Sequence, residues 1–155
     1  IPYHLTIVGG EEKTSSVTRT GYLEELKQLT KQLNLKSKVS FIGKKDPSKL
    51  KTIYQSADIF IYPSLYENFG QPLIEAAANG LPLISTSVGI ARDIIIDGET
   101  GYLVRGKPSE IKDRIELLKD IRPRLLMGQR IQTEIKKRFN WKNIIPQYID
   151  LYQSL

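Results

Sequence analysis

The sequence predicts an α/β fold in which a doubly wound, three-layer α/β/α parallel sheet is followed by C-terminal helices. Short apolar runs alternate with amphipathic segments up to about residue 104, and glycine or proline closes most of these runs. From residue 108 onward only helical periodicity remains. We therefore expect a single domain over residues 1–155, with the sheet and its crossover helices in 1–104 and a helical tail in 108–155.

Five apolar runs are predicted strands: residues 5–8, 39–42, 59–62, 81–85 and an edge strand at 102–104. The run at 59–62 is almost continuously apolar, which is typical of a strand covered by helices on both faces. A shorter apolar piece at 94–96 lies in a turn-rich passage. Ligands bind beyond the carboxyl ends of parallel strands, so the loops after Val8, Ile42, Tyr62 and Ser85 are where we expect function.

The segments between the strands have the spacing of helices. Residues 22–33 repeat leucine at helical intervals after a polar loop predicted at 11–20, and Asp46-Pro47 is a helix start. A further helix begins at Pro72 and ends at Gly80, which suits a left-handed C-terminal residue. The predicted tail helices cover 111–118, 125–139 and 141–152.

Composition excludes several kinds of site. The chain has no cysteine, which removes disulfides, thiolate nucleophiles and cysteine zinc sites and is compatible with the cytoplasm, where we expect this protein. Its one histidine, His4, lies in an apolar stretch, so neither a Ser-His-Asp relay nor a multi-histidine metal site is expected. No apolar run approaches the roughly 18 to 20 residues that span a bilayer. The net charge of +6 favours no single partner.

The segment 62–82 carries the most chemistry. Glu67 lies in a predicted loop, Glu75 lies about one turn into the next helix, and Gly70 between them lets backbone N–H groups approach a ligand. A helix N-terminus suits a diphosphate, and carboxylates beside it would repel phosphate, so we expect them to accept hydrogen bonds from hydroxyl groups. The alternative is that Glu67 is a solvated loop acid and Glu75 is favoured only by the helix dipole.

The same segment has a family likeness. Glu67 and Glu75 are separated by seven residues, Phe69-Gly70 lies between them, and an alanine-rich helix closes on Gly80-Leu81-Pro82. This pattern resembles the donor-site motif of retaining GT-B glycosyltransferases, the glycosyl transferases group 1 or family 4-like enzymes. Residues 7–10, 39–43, 56–64, 97–104 and 139–141 extend the resemblance over most of the chain.

The resemblance implies the donor-binding, Rossmann-like half of a GT-B enzyme that moves a hexose from UDP or GDP, with retention, to a glycan or lipid acceptor. Glu67 would hold the catalytic position, contacting donor-sugar hydroxyls without acting as a nucleophile, and Glu75 would bind the ribose. The other expected binding residues are Asn68, Phe69, Gly70, Gln71, Leu73, Gly9, Gly10, Phe41 and Gly43. No metal or other cofactor is expected, and no Asp-x-Asp sequence occurs.

Some features depart from the family pattern. The Arg and Lys that neutralise the diphosphate, and the N-terminal acceptor domain, would precede Ile1, so we expect a fragment that binds donor weakly and is inactive alone. Gly89 is followed by Ile90 instead of a second glycine, which would reshape the sugar pocket, and Pro72 cannot donate to phosphate. A nucleotide-sugar-binding module without transfer and a GT-B sugar epimerase remain as alternatives.

The tail offers weaker signals. A solvated helix face, with pairs such as Glu134 and Arg138, is the favoured interpretation of its basic residues, and peripheral contact with the inner face of a membrane is the alternative. Those residues are Arg122, Arg124, Arg130, Lys136, Lys137 and Arg138. No nucleic-acid-binding pattern accompanies them. Tyr148, Leu151 and Tyr152 are expected in core or interdomain packing, and Trp141 is expected to anchor the last helix.

Overall fold

The computed structural model describes residues 3–10 and 21–155, so the loop predicted at 11–20 lies outside the described residues. Strands and helices follow the predicted alternation. They are β1 (Leu5–Ile7), α1 (Tyr22–Gln32), β2 (Val39–Phe41), α2 (Pro47–Gln55), β3 (Phe60–Tyr62), α3 (Gln71–Ala78), β4 (Leu83–Thr86), α4 (Ala91–Ile94), β5 (Gly101–Val104), α5 (Pro108–Leu117), α6 (Ile121–Arg138) and α7 (Trp141–Gln153).

The chain divides into two compact units, Ile1–Leu50 and Lys51–Leu155. In the first unit β1 and β2 pair in parallel, with Leu5 opposite Val39 and Ile7 opposite Phe41. Every described residue of this unit is exposed or half-buried. The fully buried core among the described residues therefore belongs to the second unit.

The second unit is a parallel sheet in the order β3-β4-β5 with helices on both faces. All four residues of β4 are buried, as expected for a central parallel strand. Phe60 and Tyr62 of β3 pack on a core cluster that includes residues of α3, α4 and α6, and Ile59 and Ile61 pack on a second cluster with α5. The prediction of an α/β fold with parallel sheets flanked by helices is confirmed, and the architecture is Rossmann-like.

Several boundaries differ from the sequence prediction, and two of the larger differences have local causes. β4 begins at Leu83 rather than 81, because the Leu81 N–H still donates to the Ala76 carbonyl at the end of α3. The segment before the apolar piece 94–96 forms the short helix α4. α6 begins at Ile121 rather than 125, because the side chain of Asp120 caps it by accepting from the Arg122 N–H at 2.9 Å.

The last helix leaves apolar side chains exposed. Trp141, Tyr148 and Tyr152 are 70%, 56% and 71% exposed, and Leu151 is exposed as well. Predicted core packing of the two tyrosines and Leu151, and the anchoring role of Trp141, are therefore wrong for the described residues; interdomain packing stays a prediction. Within residues 3–10 and 21–155, every helix is too short or too polar to cross a lipid bilayer.

The basic residues of α6 are partly engaged by the second unit itself. Arg124 pairs with Asp58 at 3.1 Å and donates to the Leu118 carbonyl. Arg138 does not pair with Glu134 in the described chain; it donates to the Asp93 carbonyl, and its guanidinium lies over the Phe139 ring. These contacts attach both ends of α6 to the rest of the unit.

α6 meets the turn that follows α3 at two glycines. A Cβ built on Gly128 of α6 would lie 2.1 Å from the carbonyl oxygen of Gly80, two residues after the end of α3, so the chain segments approach backbone to backbone there. Gln132 strengthens the contact by donating to the Ala78 carbonyl at 2.9 Å, and Ile131 is fully buried beside it. The helix that carries Glu75 therefore rests on α6.

We expect Gly128→Ala to lower the free energy of unfolding by about 1–3 kcal/mol, because α3 must move away from the new methyl group. This is a net loss, in which the roughly 1 kcal/mol that alanine gains over glycine in helix propensity is already included. Urea denaturation measures the change. Gln129→Ala, at the next and exposed position, is the control and should stay within about 0.5 kcal/mol of wild type. Equal stability of Gly128→Ala and wild type would contradict the contact.

Candidate functional site

The loop between β3 and α3 presents unpaired backbone donors. Gly70 is the N-cap of α3 with φ 88°, and the second helical residue, Pro72, has no N–H. Among the described residues, the N–H groups of Phe69, Gly70 and Gln71 have no hydrogen-bond acceptor. Since Gly70 is buried, its free N–H is costly without a ligand. This end of α3 is electropositive and can bind an anion.

Glu67 stands on the same loop and is oriented by two donors. The Tyr62 hydroxyl donates to its Oε2 at 2.5 Å, and the Asn68 N–H donates to its Oε1 at 3.0 Å. The residue is half-buried, whereas Asn68 and Phe69 are exposed. A carboxylate accepts about four hydrogen bonds, so Glu67 keeps lone pairs for a ligand.

Glu75 is held in a similar way on α3. The Tyr54 hydroxyl donates to its Oε2 at 3.0 Å, and the side-chain amide of Gln71 donates to its Oε1 at 2.9 Å. It too is half-buried and retains free lone pairs. Both acids therefore flank the N-terminal half of α3 with one oxygen fixed by a tyrosine.

Sequence reasoning assigned no role to these tyrosines, because Tyr62 falls in an almost continuously apolar run and Tyr54 in a segment predicted only as a helix. Burial, followed by the hydrogen bond to Glu75, raises the pKa of the Tyr54 hydroxyl well above its ordinary value. Burial and the bond to Glu67 raise the pKa of Tyr62 in the same direction. Both hydroxyls therefore stay protonated donors at neutral pH. Tyr62 leaves one signal in the sequence, since it ends a strand a few residues before an acidic loop, whereas Tyr54, near the end of α2, leaves none.

The segment after β4 fastens the acidic loop from its other side. The Ile90 N–H donates to the Phe69 carbonyl at 2.8 Å, and the Thr86 hydroxyl donates to the Ser64 carbonyl at 2.5 Å. Gly89 has φ 47°, and a Cβ on it would lie 2.4 Å from the Phe69 oxygen. The backbone approach thus requires glycine at 89, and Ile90 is buried.

Leu73, another predicted binding residue, offers little to a ligand in this structure. Its side chain is fully buried in the core, and its N–H donates to the Gly70 carbonyl at 2.9 Å. Its role stays a prediction from the resemblance. The structure therefore gathers Glu67, Glu75 and the segment 68–71, while Leu73 lies beneath them.

Four further predicted binding residues lie together in the first unit. Gly9 and Gly10 follow β1, Gly43 closely follows β2, and the Gly9 N–H donates to the Gly43 carbonyl at 3.1 Å. Phe41, the last residue of β2, pairs with Ile7. Both glycine turns thus lie at the carboxyl ends of neighbouring parallel strands, which is where the fold class predicts a ligand. Their contact with a donor stays a prediction.

Glu67 and Glu75 line neither of two surface hollows. One hollow of about 310 Å³ is lined by Lys31, Asn34, Lys36 and Ser37, and one of about 220 Å³ is lined by residues that include Arg124 and Tyr54, the partner of Glu75. In the described part of the chain, no three His, Cys, Asp or Glu side chains are grouped to hold a metal ion. Metal independence stays a prediction.

Residues 1–138 match the family described as glycosyl transferases group 1. The chain is 33% identical, over its whole length, to D-inositol 3-phosphate glycosyltransferase of Corynebacterium urealyticum, of which it covers 36%. It thus spans about a third of that relative.

Solved structures agree with this match. The sucrose-phosphate synthase of Thermosynechococcus elongatus is 31% identical with a TM-score of 0.83, over 97% of this chain and 38% of that protein. Anabaena Alr3699/HepE in complex with UDP-glucose has a TM-score of 0.84 at 23% identity, over 98% of this chain and 41% of that protein, and shows likeness of fold.

We expect Gly89→Ala to destabilise the fold by about 2–3 kcal/mol, because it adds a contact with the Phe69 carbonyl to the cost of a positive φ. Urea denaturation measures the loss, and backbone amide shifts of Phe69 and Gly70 should report movement of the loop. The control is Gly98→Ala, which has φ 79° and open space around the new methyl group. It should cost about 1–2 kcal/mol and leave those shifts unchanged. Equal effects of the two variants would contradict the close approach.

We expect stability to fall as the pH rises above about 10, the ordinary pKa of tyrosine, because the folded chain holds the Tyr54 and Tyr62 protons more tightly than the unfolded chain does. Their contribution is complete below that pH and is lost above it. Urea denaturation at a series of alkaline pH values should therefore give a shallower decline for the variant with both residues changed to Phe. Changing the exposed Tyr148 and Tyr152 to Phe is the matched control, and a slope as shallow in that control would refute the assignment.

Proposed function

The chain belongs to the glycosyl transferases group 1 family and has the fold of a GT-B C-terminal domain; on this premise we propose that it binds the nucleoside diphosphate sugar of a retaining hexosyltransferase. One observation carries the proposal: two oriented carboxylates flank a helix N-terminus whose backbone donors are free. That arrangement offers both kinds of group that such a donor requires, namely donors for phosphate and acceptors for hydroxyls.

The free N–H groups of Phe69, Gly70 and Gln71 are the proposed ligands of the donor diphosphate. They belong to a loop that is held by hydrogen bonds from the Ile90 N–H and the Thr86 hydroxyl, so little ordering is needed when the anion binds. The positive end of α3 adds to the attraction. Pro72 removes one donor from the first turn, which leaves the phosphate to the residues before it.

The two acids are the proposed ligands of hydroxyl groups at either end of the diphosphate. Glu75, on α3, would accept from the ribose, and Glu67, on the loop, would accept from the hexose. Each acid already has one oxygen bound by a tyrosine, so its free lone pairs have a defined direction. Binding of UDP-glucose by Anabaena HepE, a protein of the same fold, supports a UDP-sugar as donor; a GDP-sugar is the alternative.

We propose that transfer proceeds with retention by a front-face displacement, in which Glu67 positions the hexose and is not a nucleophile. The protein would act mainly by holding donor and acceptor in line and by stabilising the charge on the departing diphosphate. The backbone donors of residues 69–71 supply that stabilisation here. The relatives are about three times as long as this chain, and we propose that further cationic groups and the glycan or lipid acceptor site lie outside these 155 residues.

No metal or other cofactor enters the proposed reaction, because helix dipole and N–H groups can bind the diphosphate without a divalent cation. We propose a cytoplasmic location in keeping with the cysteine-free sequence. Contact of the basic tail with a membrane surface is not needed for donor binding.

We expect this chain to bind UDP or GDP, with backbone amide shifts concentrated at residues 69–71, and Glu75→Ala to weaken binding by about tenfold or more. The physical reason is the loss of a charged acceptor for ribose hydroxyls, which is worth about 1.5–3 kcal/mol. Titration followed by amide shifts measures both affinities and the location of binding.

Glu116→Ala is the matched control, since this exposed acid lies on α5, where it pairs with Lys119. It should leave nucleotide affinity unchanged. Binding of neither nucleotide by the folded wild-type chain would overturn the proposed function. Binding that is equally tight in wild type and Glu75→Ala would overturn the ribose role of Glu75.

A further inference from the structure

Resting on the proposed function, we propose that Tyr54 and Tyr62 are positioning residues that aim Glu75 at the ribose hydroxyls and Glu67 at the hexose hydroxyls of the donor. Neither tyrosine lies between Glu67 and Glu75 in the sequence. Tyr54 lies near the end of α2, and Tyr62 is the last residue of β3. Their hydroxyls nevertheless reach the acids at 3.0 Å and 2.5 Å.

The two tyrosines are part of one aromatic strip. The ring of Phe60 packs edge-on to Tyr54 at 5.8 Å between centroids and is stacked with Tyr62 at 5.9 Å. All three rings pack against the core cluster beneath α3. Because Phe60 and Tyr62 are two residues apart on a strand, they face the same side of the sheet. The packing of the rings on the core therefore holds both hydroxyls in place before a ligand binds.

A glutamate side chain has three rotatable bonds and loses entropy when a ligand fixes it. In this structure the cost is met before binding, because each carboxylate has both oxygens engaged: one by a tyrosine, the other by Gln71 or by the Asn68 N–H. Of these partners, Gln71 and Asn68 are exposed, whereas Tyr54 and Tyr62 are half-buried. The tyrosines are thus the more firmly held partners, and each acid still has lone pairs free for a ligand.

The same contacts have a simpler explanation: they satisfy polar groups in a half-buried place and stabilise the fold. The two explanations differ in what they predict for ligands. A structural role would affect all nucleotides equally, or none. A positioning role acts through the acid, so its effect depends on the ligand hydroxyls that this acid accepts from.

The test compares Tyr54→Phe with wild type for UDP and 2′,3′-dideoxy-UDP, and for GDP and 2′,3′-dideoxy-GDP. Phenylalanine keeps the ring contact with Phe60 and removes only the hydroxyl. We expect roughly three- to tenfold weaker binding of the nucleotide that has its ribose hydroxyls, and no change for the dideoxy form. In a Glu75→Ala background, Tyr54→Phe should have no further effect, since the carboxylate through which the hydroxyl acts is absent.

Tyr62→Phe tests the other half with different ligands, so a folding defect in one variant leaves the other decisive. It should reduce the affinity for UDP-glucose relative to UDP, or for GDP-mannose relative to GDP, and leave the ribose effect unchanged. Tyr102→Phe is the matched control, because Tyr102 packs in the second core cluster, where the Arg114 guanidinium lies over its ring. It should alter none of these ratios.

The outcomes separate this inference from the proposed function. If wild type binds and Glu75→Ala weakens the binding of UDP or GDP, but Tyr54→Phe acts equally on normal and dideoxy nucleotides or on neither, the positioning role is wrong and the proposed function stands. If wild type binds neither nucleotide, both are wrong. Hydroxyl-selective loss in Tyr54→Phe, absent in the Glu75→Ala background, supports the inference.

Discussion

The position of the acidic loop in the second unit depends on a backbone contact between two neighbouring loops. The loop after β3 is bound to the segment after β4 through the Ile90 N–H and the Phe69 carbonyl, at 2.8 Å, and only glycine fits at position 89. This contact exists because β3 and β4 are adjacent parallel strands whose carboxyl ends emerge together. It sets the conformation of the loop, and the loop sets where Glu67 and the start of α3 lie.

Two carboxylates close to a helix N-terminus are compatible with an anion site only if their oxygens bind other groups. Tyrosine hydroxyls, a side-chain amide and a backbone N–H are such groups, and they donate hydrogen bonds to both oxygens of each acid. The pKa values of Tyr54 and Tyr62 are raised for the same reason, because a half-buried phenol beside a carboxylate resists losing its proton and becoming a second anion. Both hydroxyls therefore remain donors to the acids before a ligand binds.

Sequence reasoning predicted the alternating elements because apolar runs with glycine or proline at their ends depend on local pattern alone. It also placed Glu67 on the loop after β3 and Glu75 on the following helix, because a strand, a loop and a helix can be predicted from local pattern; their role as donor ligands stays a prediction. It could not identify the tyrosine partners, because the contact between Tyr54 and Glu75 joins α2 to α3 across 21 positions. The exposed face of α7 was missed because helical periodicity shows an apolar face but not what covers it.

The contact between α6 and the end of α3, at Gly128 and Gly80, lies on the inner side of α6. It joins backbone atoms and is supported by Gln132 and the buried Ile131, so residues on the solvent side of α6 take no part in it. Sequence drift there can alter charge, solubility or recognition by other molecules while the carboxylate of Glu75 keeps its place. The solvent-exposed surface of α6 can thus diversify in sequence without affecting the chemistry of Glu75.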